Sequence, residues 1–378
     1  MADVLRSLKL LETLKELMEK NRLSEVKDAV EDLLISRVNL AVVGERGPEK
    51  AAFINALRGL GPEDSGAAQC PSSTPPDEPA VYPNPKHTDF RLWDLPGVPS
   101  ASPFNPEEYM ERFKFLRYNA VIMTFSQSLH PNSVTVWKEA RAAQRETVYF
   151  ALLASQGDSD KALEARKKSS LEVLKAEGVP IPKVFMVRPS TLEKLDFPAL
   201  LEEMERDLPE IKSNALLLAL PPLTVAVVNR KKDTFKAMVW AAASLSGGVS
   251  AIPVPLVSSM VDASLAVRIL CKARDSLSLD DESVERLARQ RGRGAAELKE
   301  LRSCTLSLEV TKGEVKKRLA EADKEKPRGA RIVEMALPMN AKSASRSFTA
   351  MLQALNGAID EMSADAEKVV TAAIGKSK

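Results

Sequence analysis

The sequence has few of the side chains that bind metal ions or act as nucleophiles. Among 378 residues there are three cysteines and two histidines. The cysteines, Cys70, Cys271 and Cys304, form no C-x-x-C pair, and a zinc site needs about four clustered ligands, so the sequence predicts no zinc site. With only His87 and His130 available, a Ser/His or Cys/His nucleophile system is disfavoured too, and we assign no catalytic residue. The few cysteines and the lack of a signal peptide predict a cytoplasmic protein.

An excess of charge of either sign is also lacking. The 54 basic and 52 acidic residues leave a net charge of +2, which gives no general attraction to nucleic acid. Local basic clusters occur at 286–293 and 316–318, but glutamates are scattered among them, and we interpret both as solvated helix faces. The sequence therefore predicts no nucleic-acid partner.

Strand-like and helix-like segments alternate in the first part of the chain. Strands are predicted at 38–43, 90–94, 120–125, 147–153 and 184–187, and helices at 51–60, 106–116, 133–144, 159–177 and 197–207. This alternation predicts an α/β fold with a doubly wound, mostly parallel sheet. Two amphipathic helices precede it, and the chain after about residue 212 is almost wholly helical. The predicted domains are N-terminal helices at 1–36, a sheet domain at 37–212 and an all-helical domain at 213–378.

One long uncharged stretch, 237–261, is the strongest candidate for contact with a membrane. Its length alone is enough to span a bilayer. However, Gly247, Gly248, Pro253 and Pro255 interrupt it, whereas a transmembrane helix is usually an uninterrupted apolar run. We therefore predict two helices that meet at a bend inside the helical domain, with peripheral membrane contact as the alternative.

A phosphate-binding loop follows the first predicted strand. The spacing from Gly44 to Lys50 is that of G-x-x-x-x-G-K-[ST]. In this motif backbone N–H groups surround the phosphates, the lysine reaches the outer phosphates and the Ser/Thr holds magnesium. Gly44, Gly47 and Lys50 are present, but Glu49 replaces the second glycine and Ala51 replaces the Ser/Thr.

These two replacements predict weak nucleotide binding. If position 49 requires a positive φ, a residue other than glycine costs about 1–2 kcal/mol there. An ionised Glu49 about 4 Å from a phosphate charge adds about 4 kcal/mol of repulsion at an effective dielectric constant of about 20. Together these costs lower the affinity by about three to four orders of magnitude. Glu49 escapes the repulsion if it turns to solvent and weakens Lys50 if it pairs with it, and the sequence leaves both open. Ala51 has no oxygen for magnesium.

A second nucleotide-site motif is intact. Asp94-Leu95-Pro96-Gly97 has the form D-x-x-G and follows a predicted strand. An aspartate before Pro-Gly is also an ordinary turn, but the distance behind the phosphate-binding loop favours a nucleotide site. In GTPases the aspartate reaches magnesium through water and the glycine senses the terminal phosphate. Asp94 is therefore a candidate magnesium contact, provided that nucleotide binds, and Gly97 is a candidate phosphate contact.

The loop that would read the base is altered. The motif [NT]-K-x-D should follow the strand at 147–153, and the sequence there is Ser155-Gln156-Gly157-Asp158. Asp158 is the aspartate that would pair with guanine, but Gln156 replaces the lysine that packs on the base. A simple polar loop is the competing interpretation.

Several stretches resemble the immunity-related (interferon-inducible) GTPase family. Besides the loops above, they are residues 53–59, 82–86, 92–98, 194–198 and 217–221, in the order that the family has them. The resemblance implies a Ras-like G domain between N-terminal helices and a C-terminal helical domain, with GTP or GDP and magnesium as cofactors. It also implies pairing with other family GTPases through the G domain, peripheral association with intracellular membranes, and a role in cell-autonomous immunity or in vesicle and autophagy control.

The departures from the motifs shape the functional hypothesis. Because Glu49 and Ala51 alter the phosphate site and Gln156 alters the base site, we expect impaired or absent GTP binding and hydrolysis. The protein would then act as a regulator or adaptor of related GTPases. Two alternatives stay open. One is a slow but genuine GTPase that uses Lys50, Asp94 and Asp158, and the other is a membrane-associated helical scaffold.

Overall fold

The computed structural model describes residues 2–69, 78–101, 103–143, 147–247, 258–324 and 339–374. Contacts divide the chain into two compact units. One is Ile35–Leu220, and the other combines Met1–Leu34 with Pro221–Lys378. The borders that we expect from the sequence, after residues 36 and 212, stay predictions.

The unit Ile35–Leu220 contains a six-stranded sheet. Its strands are β1 (Val38–Val43), β2 (Ala80–Pro83), β3 (Phe90–Leu95), β4 (Ala120–Phe125), β5 (Val148–Leu153) and β6 (Phe185–Val187). They lie in the order β2-β3-β1-β4-β5-β6, and only β2 pairs antiparallel with its neighbour. The prediction of a doubly wound, mostly parallel sheet is confirmed.

Strand β2 was not predicted from the sequence. It has only four residues, ends in Pro83 and follows Pro79. A proline cannot donate to a strand ladder, so prolines in sheets are confined to edge strands and strand ends. The position of β2 at the edge of the sheet accommodates both residues.

Six helices connect these strands and follow them. They are α3 (Pro48–Leu57), α4 (Pro106–Arg112), α5 (Pro131–Ala142), α6 (Asp160–Ala176), α7 (Phe197–Asp207) and α8 (Glu210–Ala219). Helix α3 begins at Pro48 rather than at Ala51, because proline is well suited to the first helical position. Helix α4 ends earlier than predicted, since Lys114 adopts a left-handed conformation with φ of 51° and a 3-10 turn follows.

The central strands are buried on both faces. All six residues of β5 are buried, as are five of the six residues of β1. Helices cover both faces of such a sheet, which is why these strands read as continuous apolar runs rather than as alternating ones. The sheet therefore holds the loops at its carboxyl edge on a rigid base.

The other unit is helical in its described residues. Its helices are α1 (Ala2–Glu19), α2 (Leu23–Ile35, whose last residue belongs to the sheet unit), α9 (Val225–Gly247), α10 (Ser258–Ser276), α11 (Asp281–Arg291), α12 (Ala295–Glu300), α13 (Thr305–Leu308), α14 (Lys312–Lys324) and α15 (Met339–Ile374). Helices α9 and α15 pack together through buried residues such as Phe235, Met238, Leu355 and Ile359. An ion pair from Lys236 to Asp360 links the two helices in their middle parts.

The uncharged stretch lies partly in these helices. Helix α9 ends at Gly247 and α10 begins at Ser258, so the predicted bend falls outside the described residues. No helix in the described part of the chain is long and apolar enough to cross a membrane.

Candidate functional site

The loops that follow β1, β3, β4 and β5 meet at the carboxyl edge of the sheet. A cavity of about 360 Å³ opens there, and its walls include the loop 43–50, Gly97 and the segment 123–130. Ligands of open α/β sheets bind in this kind of crevice, beyond the carboxyl ends of the strands. The predicted site residues Gly44, Gly47, Lys50 and Gly97 all line this cavity.

The two motif glycines allow close backbone contacts. A Cβ atom at Gly44 would lie 2.3 Å from the Oγ1 atom of Thr124, which donates a hydrogen bond to the Val43 carbonyl. A Cβ atom at Gly97 would lie 2.9 Å from the backbone nitrogen of Glu45. The phosphate-binding loop is thus packed against β4 on one side and against the D-x-x-G turn on the other.

Lys50 is buried and bonded to the protein itself. Its ammonium group forms an ion pair of 2.6 Å with Asp94 and donates hydrogen bonds to the carbonyls of Gly44, at 2.7 Å, and Leu95. Burial lowers the pKa of Lys50 below its ordinary value, and the neighbouring Asp94 carboxylate opposes this shift. A phosphate that approached Lys50 would have to compete with Asp94 and two carbonyl oxygens for the same three protons.

Glu49 adopts neither of the two orientations considered from the sequence. It is half-buried, and its Oε1 atom accepts a hydrogen bond of 2.6 Å from the hydroxyl of Ser155. Glu49 lies in the first turn of α3, whereas Ser155 lies in the loop after β5 that would read a base. One side chain therefore connects the phosphate-binding loop with the base-reading loop.

The Asp158 carboxylate is bound by residues of its own loop and of α6. Its carboxylate accepts a hydrogen bond of 2.9 Å from the Ser155 N–H and forms an ion pair with Arg166. Burial raises the pKa of Asp158, but the hydrogen bond from Ser155 and the charge of Arg166 outweigh it, so that the pKa lies below its ordinary value. Arg166 also donates to the Ser126 carbonyl, and Arg188 donates to the Asp158 carbonyl. These contacts fix the shape of the loop.

Pro48 is a further departure that the motif comparison missed. It occupies the position before Glu49 and begins α3, directly after Gly47 at the helix N-cap. Proline has no backbone N–H, so one donor is absent from the first turn, where N–H groups of a phosphate-binding loop point at the phosphates. The residue was visible in the sequence, but the motif leaves this position unrestricted and therefore gave no signal.

The residues present do not fit a bound magnesium ion. Ala51 offers a methyl group where the motif has a hydroxyl, and the Asp94 carboxylate is already paired with Lys50. At position 51 the protein therefore supplies no oxygen for magnesium.

The fold and this site together define the class of protein. A mostly parallel sheet, a phosphate-binding loop between β1 and α3, and a D-x-x-G turn after β3 are the parts of a Ras-like G domain. The sequence model of the family described as "Interferon-inducible GTPase (IIGP)" matches residues 7–371. The chain belongs to the interferon-inducible GTPase family, and the resemblance noted from its motifs is confirmed.

Individual relatives agree with this family assignment. Interferon-inducible GTPase 5 of Bos taurus is 30% identical over 380 residues, which cover 95% of this chain and 81% of the relative. Interferon-gamma-inducible GTPase 10 of Mus musculus is 31% identical over 292 residues, covering 73% and 69%. Interferon-inducible GTPase 1 of Mus musculus is 28% identical over 283 residues, covering 70% and 67%.

Proposed function

We propose that this protein is an interferon-inducible GTPase relative that binds guanine nucleotide weakly, does not hydrolyse GTP efficiently, and acts as a regulator or adaptor of active relatives. The observation that carries the proposal is the bonding of Lys50, the remaining phosphate-site cation, to Asp94 and two carbonyl oxygens. In this arrangement the lysine and the D-x-x-G aspartate satisfy each other, and a phosphate that binds Lys50 has to weaken this ion pair.

The other changes in the loop support the same conclusion. Glu49 adds a carboxylate to the first turn of α3, Pro48 lacks an N–H donor, and Ala51 lacks a hydroxyl. Each change removes or opposes an interaction that a triphosphate with magnesium requires. Because the changes affect different parts of the ligand, their effects on binding should accumulate.

Titration of nucleotide into the purified full-length chain tests this proposal. Fluorescently labelled GDP and GTP are added with and without magnesium, to the wild type and to Glu49→Gly/Ala51→Ser. We expect the double variant to bind at least about tenfold more tightly than the wild type, since it removes an opposing charge and restores a hydroxyl. We also expect magnesium to tighten binding to the double variant only.

A measurement of phosphate release from GTP can contradict the proposed function. If the wild type turns over GTP at the rate of an active relative, and Lys50→Ala abolishes this turnover, the protein is a genuine GTPase and the proposal is wrong. Turnover that is insensitive to Lys50→Ala would come from a contaminant. Circular dichroism spectra confirm that the variants compared are folded.

The regulatory part of the proposal rests on family membership and needs its own measurement. The full-length chain is mixed with the mouse relative Interferon-gamma-inducible GTPase 10, and GTP turnover is measured at increasing ratios. If the two proteins pair, we expect the affinity of the relative for GTP, read from its turnover at several GTP concentrations, to change by about fivefold or more at saturation, the usual lower range of coupling between sites. Serum albumin at equal concentration is the control, and an unchanged rate would contradict the regulatory role.

A further inference from the structure

We infer that Ser155 is a positioning residue, which holds the Glu49 carboxylate across the nucleotide site as a built-in barrier between the phosphate-binding loop and the base-reading loop. We call this contact the Glu49–Ser155 bridge. The inference rests on the proposed function, because it explains how weak nucleotide binding is maintained in the folded protein.

The bridge joins the two loops of the candidate nucleotide site. Glu49 stands in the first turn of α3, and Ser155 stands directly after β5, beyond Ala154. Glu49 is also one of the residues that line the cavity at the carboxyl edge of the sheet, where a nucleotide that contacts both loops would lie. The 2.6 Å hydrogen bond from Ser155 therefore holds a carboxylate in the wall of that cavity, where it opposes a phosphate.

Ser155 is held firmly by its own loop. Its backbone N–H donates to the Asp158 carboxylate, and its carbonyl accepts from the Asp158 N–H. Asp158 is in turn paired with Arg166, which also donates to the Ser126 carbonyl of the loop after β4. The Ser155 hydroxyl therefore has a fixed position. Its hydrogen bond to Glu49 restrains the glutamate side chain, which could otherwise turn towards solvent.

The bridge is a hydrogen bond from a hydroxyl to a carboxylate. Hydrogen bonds that involve a charged partner contribute more than neutral ones, and this one is half-buried. Among the described residues, the Ser155 hydroxyl is the hydrogen-bond donor that keeps the Glu49 carboxylate in place, and its removal would release that carboxylate. The repulsion between Glu49 and phosphate would then be relieved by a simple side-chain rotation.

Nucleotide affinity of Ser155→Ala tests the bridge. We expect this variant to bind labelled GDP about tenfold more tightly than the wild type, the effect of losing one hydrogen bond to a charged group. Glu49→Ala should bind at least as tightly, because it removes both the barrier and its charge. Ser155→Thr keeps the hydroxyl and should restore the weak binding of the wild type, which a general loosening of the loop would not do.

Matched measurements separate this inference from the proposed function. Ser169→Ala removes an exposed hydroxyl on α6 and should bind GDP like the wild type. If the wild type is weak and Ser155→Ala binds no more tightly, the bridge is not a barrier, while the proposed function stands. If the wild type itself binds GDP tightly, both are overturned. If Ser155→Ala and Ser155→Thr bind equally well, loop loosening rather than the hydroxyl is responsible, and the inference is wrong.

Discussion

Replacement of Lys50 by alanine is expected to lower the free energy of unfolding of the sheet unit by about 3–5 kcal/mol, the usual cost of breaking a buried ion pair. The variant leaves the Asp94 carboxylate without its partner and the Gly44 and Leu95 carbonyls without a donor. Only 3% of the Lys50 side chain is exposed, so water does not readily replace the ammonium group. Urea unfolding without nucleotide measures this loss. It is followed by tryptophan fluorescence, to which Trp93 and Trp137 of this unit and Trp240 of the helical unit contribute.

An exposed lysine in the same unit serves as the control. Lys138 pairs with Glu177 at the surface, where 43% of the lysine side chain is exposed. Surface ion pairs contribute about 0–1 kcal/mol, so Lys138→Ala should unfold almost like the wild type. If Lys50→Ala is equally mild, Lys50 does not support the folded loop, and the observation behind the proposed function loses its weight.

The sequence predicts the fold well because the fold depends on repeating local patterns. Five parallel strands were predicted within about a residue of where they lie. Four of them are mostly apolar runs, whereas β3 mixes apolar residues with Arg91 and Asp94. Strand β2 could not be found in this way, because a short edge strand that ends in Pro83 has no such run. Its pairing with β3 depends on residues brought together by the hairpin.

The bonding within the site could be predicted only in part. The motif spacing places Lys50 and Asp94 at neighbouring loops, because β1 and β3 are parallel neighbours in the sheet. The partner of Glu49 could not be predicted, since Ser155 is distant in sequence and its orientation depends on Asp158 and Arg166. Contacts of this kind depend on the conformation of the loops, and the spacing of residues in a motif gives no information about that conformation.

Asp365 is the site of the second large effect, in the helical unit. Its carboxylate is buried and accepts hydrogen bonds from the Ser303 and Ser307 hydroxyls and from the Cys304 N–H, all between 2.8 and 2.9 Å, while Lys368 lies 3.1 Å away. Asp365→Ala would leave the Cys304 N–H and the hydroxyl of Ser307, both in buried residues, without this acceptor. We expect the free energy of unfolding to fall by about 3–5 kcal/mol, measured by urea unfolding with circular dichroism.

Lowering the pH should reduce the free energy of unfolding of the wild type through the same residue. Burial raises the pKa of Asp365, but the hydrogen bonds from Cys304, Ser303 and Ser307 outweigh it, so the pKa in the folded state lies below the ordinary value of 3.8. The contribution of Asp365 is therefore fully present above that ordinary value and is lost as the pH falls through the depressed pKa. Asp365→Ala should accordingly show a smaller loss of stability than the wild type as the pH falls below about 4.

Asp360 on the same helix provides the matched control. It pairs with Lys236 at the surface, with 51% of its side chain exposed, so Asp360→Ala should change the free energy of unfolding by no more than about 1 kcal/mol. Similar losses in Asp360→Ala and Asp365→Ala would show that any carboxylate on α15 matters equally. The three hydrogen bonds to Asp365 indicate that it fixes the short helix α13 against α15. Similar losses would contradict this role.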